Sequence, residues 1–236
     1  MVAIGSHARG RLAIFGAALA WSTAGVGQRE LGVSPVTQVA GRALFASIAL
    51  GILVLATERG RTFAAFRSIG QVGLLSAVLL GISSGTFFLA LNYTTVANVL
   101  FTQAAAPFAA ALLGWWLLGE RISGRTWVAM SLAGVGVAVM AVDSLAAGFT
   151  AFVLPLVMTA AFAGTIVTTR HRRDISMMPA ACLSQVLVVA VLLPLTSFGE
   201  AEPGDWGLLI GLGFGQMGLG LALLTVGARL IPPAEV

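Results

Sequence analysis

The chain has no lysine; all 13 of its basic residues are arginine. That absence excludes Schiff-base chemistry, and with it a retinal protein or a pyridoxal enzyme. Charge of either sign is scarce. Only 9% of the 236 residues are charged, against roughly 25% in an ordinary soluble domain. Too few charges remain to make a polar skin, so the soluble and disordered classes are excluded. The net charge is only +4 and the arginines are scattered, which excludes a nucleic-acid partner. A single cysteine, Cys182, excludes an internal disulfide and any multi-cysteine metal site. No cofactor is expected. No Asp or Glu lies well inside any long apolar run, Glu30 standing at the very end of the first, so no buried carboxylate relay for protons is offered. No nucleotide-binding domain is present, and ATP drive would need a partner.

What the chain does have is apolar residues, 58% of the total. A membrane-spanning helix needs about 20 of them in a row. Eight such stretches are expected, at 12–31, 35–57, 69–91, 95–118, 125–142, 149–169, 177–198 and 206–228. They are apolar on every face, unlike the alternating strands of an outer-membrane barrel. The fold class is therefore an all-α polytopic membrane bundle, with the lipid bilayer as its first partner. His7, Arg9, Arg11 and the run Ala18-Leu19-Ala20 imitate a signal peptide. The apolar stretch continues past Ala20, so an uncleaved signal anchor is the better reading.

Orientation follows from the arginines. With the N-terminus in the cytoplasm, Arg9, Arg11, Arg59, Arg61, Arg67, Arg121, Arg125, Arg170, Arg172, Arg173 and Arg229 all lie inside. Only Arg29 lies outside, and Arg42 lies within the second span. Glu200, Glu202 and Asp205 fall on the outer side. The expected location is a bacterial inner membrane.

An offset of 137 residues lays GISSGTFFLALNYTTVANV (81–99) over GLGLALLTVGARLIPPAEV (218–236). Each is a glycine-rich apolar helix, then a polar or proline break, then Ala-x-Val. The first and second spans correspond loosely to the sixth and seventh. The simplest unit has five helices, residues 1–143, followed by a partial second copy of three, residues 144–236. Five is odd, so a tandem copy enters the membrane upside down. By this register two helices, roughly 50 residues at the span length of membrane helices, would follow. The expectation is that the chain is part of a longer parent, the alternative being a genuine short form.

Three segments carry a resemblance. AWSTAGVGQREL (20–31), SPVTQVAGRALFAS (34–47) and ALNYTTVANVLFTQAAAPFAAALLGWWLLGERIS (90–123) resemble the EamA-type permeases of the drug/metabolite transporter superfamily. The third is the most specific, with a short hairpin, a mid-helix proline and a Leu-Gly-Glu terminator. The resemblance implies a ten-helix bundle of two inverted five-helix repeats. It also implies export of amino acids or other small metabolites by alternating access, and no enzymatic activity. The competing expectation is a non-transporting shortened membrane protein, or a fragment of such a carrier. A homodimer is a further possible partner state.

Candidate solute-binding residues are the polar side chains within the spans. Arg42, about 10 Å deep at 1.5 Å per residue, could pair with a solute carboxylate, or snorkel outward beside Gln38 one turn away. Trp21, Ser22 and Thr23 form a polar-aromatic break, with Gln28 one heptad beyond Trp21. They could wall a cavity, or simply bond between helices with Trp21 facing lipid. Tyr93, Asn98, Thr102 and Gln103 surround the start of the fourth span and suit a small polar or zwitterionic metabolite. The plainer reading makes Asn92–Thr95 a turn and Asn98 a helix cap. Gln185 and Gln216 are the polar points of the second copy. Pro107 is expected to bend its helix, and Glu120 with Arg121 to end it. Gly81-x-Ser83-x-Gly85 and Gly213-x-Gly215-x-x-Gly218 mimic hydrolase and dinucleotide motifs, but both lie inside spans. Glycines 207, 211 and 215 are read as a row for close helix approach. Trp21, Arg42 and Asn98 are expected to approach one cavity, with the fifth span peripheral.

Overall fold

The computed structural model describes residues 6–171 and 177–223. Arg172, Arg173, Arg229 and the Ala234–Val236 end of the repeat match lie outside them. Among the described residues there is no strand, and the protein is a polytopic helical bundle. Its helices are α1 (Ser6–Ser22), α2 (Ala24–Arg29), α3 (Pro35–Glu58), α4 (Thr62–Ser68), α5 (Gly70–Ala90), α6 (Val96–Gln103), α7 (Ala106–Leu118), α8 (Gly124–Ala146), α9 (Phe149–His171), α10 (Met178–Leu192) and α11 (Pro203–Ile210). The α11 helix continues as a π-helix over Gly211–Leu219.

Six stretches are long and apolar enough to cross a membrane: Pro35–Glu58, Gly70–Ala90, Val96–Leu117, Phe149–Thr169, Met178–Leu195 and Pro203–Leu223. The other two expected spans are helical but differ. The first is interrupted at Thr23, between α1 and α2. Ser22 and Thr23 donate their hydroxyls to Leu19 O at 2.8 Å and Ala20 O at 2.7 Å. Such back-bonding competes with the helical ladder and bends it. In the fifth, the apolar part of α8 is the shorter run Gly124–Met140.

Local chemistry sets the helix ends. Ser34 caps α3, its Oγ accepting from Thr37 N at 3.4 Å, and Pro35 takes the first turn, where its missing N–H costs nothing. Thr95 caps α6 by accepting from Asn98 N at 3.2 Å. The fourth span breaks between Gln103 and Ala106, and Pro107 starts α7 rather than bending a continuous helix. Gly119, left-handed at φ 67°, ends α7 within the Leu-Gly-Glu run.

The chain forms two compact units. The first joins residues 1–60 to residues 192–236. In it α3 packs along α11 and the π-helix, and α1 and α2 pack on the π-helix. Its core holds Leu31, Val33, Leu209 and Leu212, covered by Phe45 and Trp206. The connections at one end are tied together. Asp205 Oδ1 accepts from Gly32 N at 2.8 Å and Oδ2 accepts from Glu202 N at 3.1 Å. Ser197 N donates to Thr37 Oγ1 at 3.0 Å, and Phe198 stacks on Trp206 at 5.5 Å.

The second unit is residues 61–191. Here α9 is central, packing on α5 along its length and touching α6, α7 and α8. Among these, α8 is peripheral. It packs on α6 and α9, its Trp127 meets Trp115 of α7 edge-on, and Val128, Leu132, Val135, Val139 and Val142 stay exposed along it.

Candidate functional site

In the first unit the polar side chains gather on α3. Gln38 and Arg42 lie four residues apart, hence on one helix face, and both are buried. Arg42 is 1% exposed and does not snorkel out. Its Nε donates to Gln216 Oε1 at 3.3 Å, a bond from α3 to the π-helix. The approach is close because Gly213 has no side chain. A Cβ there would lie 2.9 Å from Arg42 O and 2.9 Å from Ala46 N. Gly218 likewise sits over Ala49. Gln38 Nε2 donates to Val33 O at 2.9 Å and Leu31 O at 3.2 Å, and its Oε1 accepts from Gln28 Nε2 at 2.8 Å. Gln28, Gln38, Arg42 and Gln216 thus form a buried polar seam drawn from α2, α3 and the π-helix.

Trp21 stands apart from that seam. It is 39% exposed and its indole lies over Gly220. Gln28, by contrast, is buried, and the helix is interrupted at Thr23 between the two residues. Ser22 is exposed. The expected glycine row also differs. A Cβ on Gly207, Gly211 or Gly215 would meet nothing within 4 Å. Gly213 and Gly218, five residues apart, make the close contacts, as the wider turn of a π-helix dictates.

In the second unit Gln185 is buried on α10. Its Nε2 donates to Ser184 Oγ at 3.1 Å and reaches Ser84 Oγ on α5 at 3.4 Å. Gly81 permits this approach, since a Cβ there would lie 3.0 Å from Ser184 O. Asn98 and Thr102 are buried on one face of α6. Asn98 Nδ2 donates to Thr94 Oγ1 at 2.9 Å, and Thr102 Oγ1 donates to Asn98 O at 2.8 Å. Thr95, not Asn98, is the helix cap. Gln103 is half-buried, and Tyr93 is exposed at the α5–α6 turn.

Two residues that sequence reasoning passed over have roles here. Ser84 lies within a dismissed motif, at its second variable position, yet it accepts from Gln185; adjacent serines in an apolar span are its signal. Asp205 reads as a loop acid but is buried and ties two connections together.

The model of the EamA-like transporter family matches residues 8–142, more than half of the chain. The chain belongs to the EamA-like transporter family. This EamA-like protein is accordingly a multi-pass membrane transporter of small solutes, from a family of transporters rather than enzymes. No curated protein matches it. A solved structure described as "Crystal structure of protein" is similar at a TM-score of 0.60 and 19% identity, over 92% of this chain and 78% of that chain. At that identity the likeness concerns the fold alone. The family match covers α3 with Arg42 but ends before Gln185 and Gln216.

Proposed function

We propose that this EamA-like protein exports amino acids or other small polar metabolites across a bacterial inner membrane by alternating access. The observation that carries the reading is Arg42. A guanidinium costs several kcal/mol, about 2.5–3.5, at the centre of a membrane helix, and such residues mark solute paths. Here it is buried among Gln38 and Gln216, side chains that hydrogen-bond polar solutes. Trp21, Ser22, Tyr93, Asn98, Thr102, Gln103 and Gln185 complete the proposed set.

The proposed repeats, 1–143 and 144–236, draw support from a device that recurs in the two units. In one, Gly81 meets a backbone carbonyl, and Ser84, three residues on, takes a hydrogen bond from the opposing helix. In the other, Gly213 and Gln216 do the same with α3. Both pairs are 132 residues apart, close to the register of 137 read from the sequence. The opposing helices, α10 and α3, are the seventh and second spans, the pair an inverted repeat equates.

The test is flux from proteoliposomes loaded with labelled amino acids and small polar metabolites. Solute-dependent efflux that is lost in Arg42→Gln supports the reading. Absence of flux across the whole panel overturns it.

A further inference from the structure

The short helix α4 joins two spans, Pro35–Glu58 and Gly70–Ala90, and so stands at a membrane boundary. Left-handed residues flank it, Arg59 and Gly60 before it and Gly70 after it, at φ 41°, 88° and 58°. The chain breaks direction at both ends, and α4 is a helix of its own rather than an extension of either span. A helix of seven residues does not hold alone in water, because its nucleus is costly. Helices in proteins overcome that cost by burying a face, yet no residue of α4 is buried. Thr62, Ala65 and Phe66 are half-buried and lead on to Ile69, which is buried. The other face carries Phe63, Ala64, Arg67 and Ser68, all exposed, with Phe63 at 80%. Phe63 and Arg67 lie one turn apart on it.

The charge on this segment is nearly all of one sign. Arg59, Arg61 and Arg67 are exposed, and no side chain among the described residues pairs with them. Glu58 closes α3, and no further Asp or Glu occurs before Glu120. Three cations thus stand against one acid. A soluble anion answers the arginines and leaves the Phe63 ring in water. A zwitterionic lipid takes the ring but brings its own cation against the arginines. An anionic phospholipid answers both, with acyl chains for the ring and a phosphodiester for the guanidinium groups. We propose that α4 lies in the membrane interface and that Arg61, Phe63 and Arg67 seat an anionic phospholipid. Arg61 stands at the head of the helix and Arg67 in its last turn, so the lipid is held along the whole length of α4.

The test needs no flux and is independent of the transport reading. The whole chain, with Cys182→Ala, would carry an environment-sensitive dye at Ala64→Cys, on the exposed face of α4. It would be titrated in mixed micelles with phosphatidylglycerol and with phosphatidylcholine of the same chains. The dye is expected to respond at about tenfold less phosphatidylglycerol than phosphatidylcholine. Arg61→Gln with Arg67→Gln is expected to remove most of that preference, at about fivefold for each arginine, and to leave the phosphatidylcholine response as it was. Arg121→Gln with Arg125→Gln takes the same charge from another connection and is expected to leave the preference intact. Phe63→Ser is expected to weaken both lipids. Glycerol 3-phosphate, a head group without chains, is expected not to displace the lipid. If the Arg61 and Arg67 variant does not insert, salt decides: raising sodium chloride from about 0.05 to 0.5 M is expected to erode the preference of the unsubstituted arginines. Equal responses to the two lipids overturn the inference, as does a preference that neither the Arg61 and Arg67 variant nor salt reduces. An equal loss in the Arg121 and Arg125 variant overturns it in favour of general surface charge. Displacement by glycerol 3-phosphate overturns it in favour of a soluble anion.

Discussion

A guanidinium inside an apolar helix needs hydrogen-bond acceptors, and the chain supplies them from distant positions. Arg42 was legible from the sequence because it is a charge well inside an apolar stretch rather than at its end, and Gln38 because it lies one turn away. Gln216, 174 residues along, becomes a partner only when α3 meets the π-helix. Arg42→Gln is expected to weaken acidic and zwitterionic solutes about 10- to 100-fold, the worth of a charged hydrogen bond, and to leave neutral solutes nearly unchanged. Flux ratios at matched expression check this, and an equal loss for all solutes points to a structural arginine. Asp205 shows the opposite limit of legibility. Its composition reads as outer-loop charge, yet its two oxygens hold Gly32 N and Glu202 N. Asp205→Ala leaves two part-buried N–H groups, those of Gly32 and Glu202, without this acceptor and is expected to destabilise the protein by about 2 kcal/mol. Asp205→Asn keeps one acceptor and loses less. Thermal melting in one detergent distinguishes the two variants.

At the scale of the element, apolar length announces helices reliably, but the helix type decides which residues face inward. The glycines of the last described span illustrate this. A period of 3.6 selects Gly207, Gly211 and Gly215, and all three look onto open space. The π-turn selects Gly213 and Gly218 instead. Nothing in the text GLGFGQMGL marks a π-helix, since its cause is tertiary. The π-helical stretch carries Gly213 onto Arg42 O and Phe45, and Gly218 onto Ala49. The two sets of glycines predict opposite outcomes. Gly213→Ala would press a methyl against backbone and is expected to cost about 1–3 kcal/mol. Gly215→Ala meets nothing and is expected to gain up to about 1 kcal/mol from helix propensity. Melting temperatures of the two variants, measured side by side, check the assignment. The same reasoning covers the first span. Its composition reads as one helix, whereas the hydroxyls of Ser22 and Thr23 bond backward and break it.

At the scale of the whole molecule, a topology is a sequence of crossings, and each crossing reverses the side on which the next loop emerges. The spans beginning at Pro35, Gly70, Val96, Phe149, Met178 and Pro203 are long enough to cross alone. The broken first span and the shorter apolar run of α8 are the two whose crossing rests on the arginines. Arginine asymmetry was legible without any structure because it depends only on which connection a charge lies in. If both segments cross and the N-terminus is cytoplasmic, Asn92, Ala147 and Gly199 emerge outside, and Arg61 and Ser123 inside. Cys182 is buried, so replacing it by alanine leaves a background for single cysteines. In right-side-out vesicles, a membrane-impermeant thiol reagent is expected to label Asn92→Cys, Ala147→Cys and Gly199→Cys directly. Arg61→Cys and Ser123→Cys are expected to react only after permeabilisation. The informative site is Ala147, just after α8. If α8 lies along the surface instead of crossing, Ala147→Cys and Gly199→Cys both become protected while Asn92→Cys does not. If the first span fails to cross and the N-terminus stays inside, every one of the five sites changes side. Each alternative thus leaves its own pattern, and of these arrangements only the eight-crossing one labels Asn92→Cys, Ala147→Cys and Gly199→Cys while it protects Arg61→Cys and Ser123→Cys.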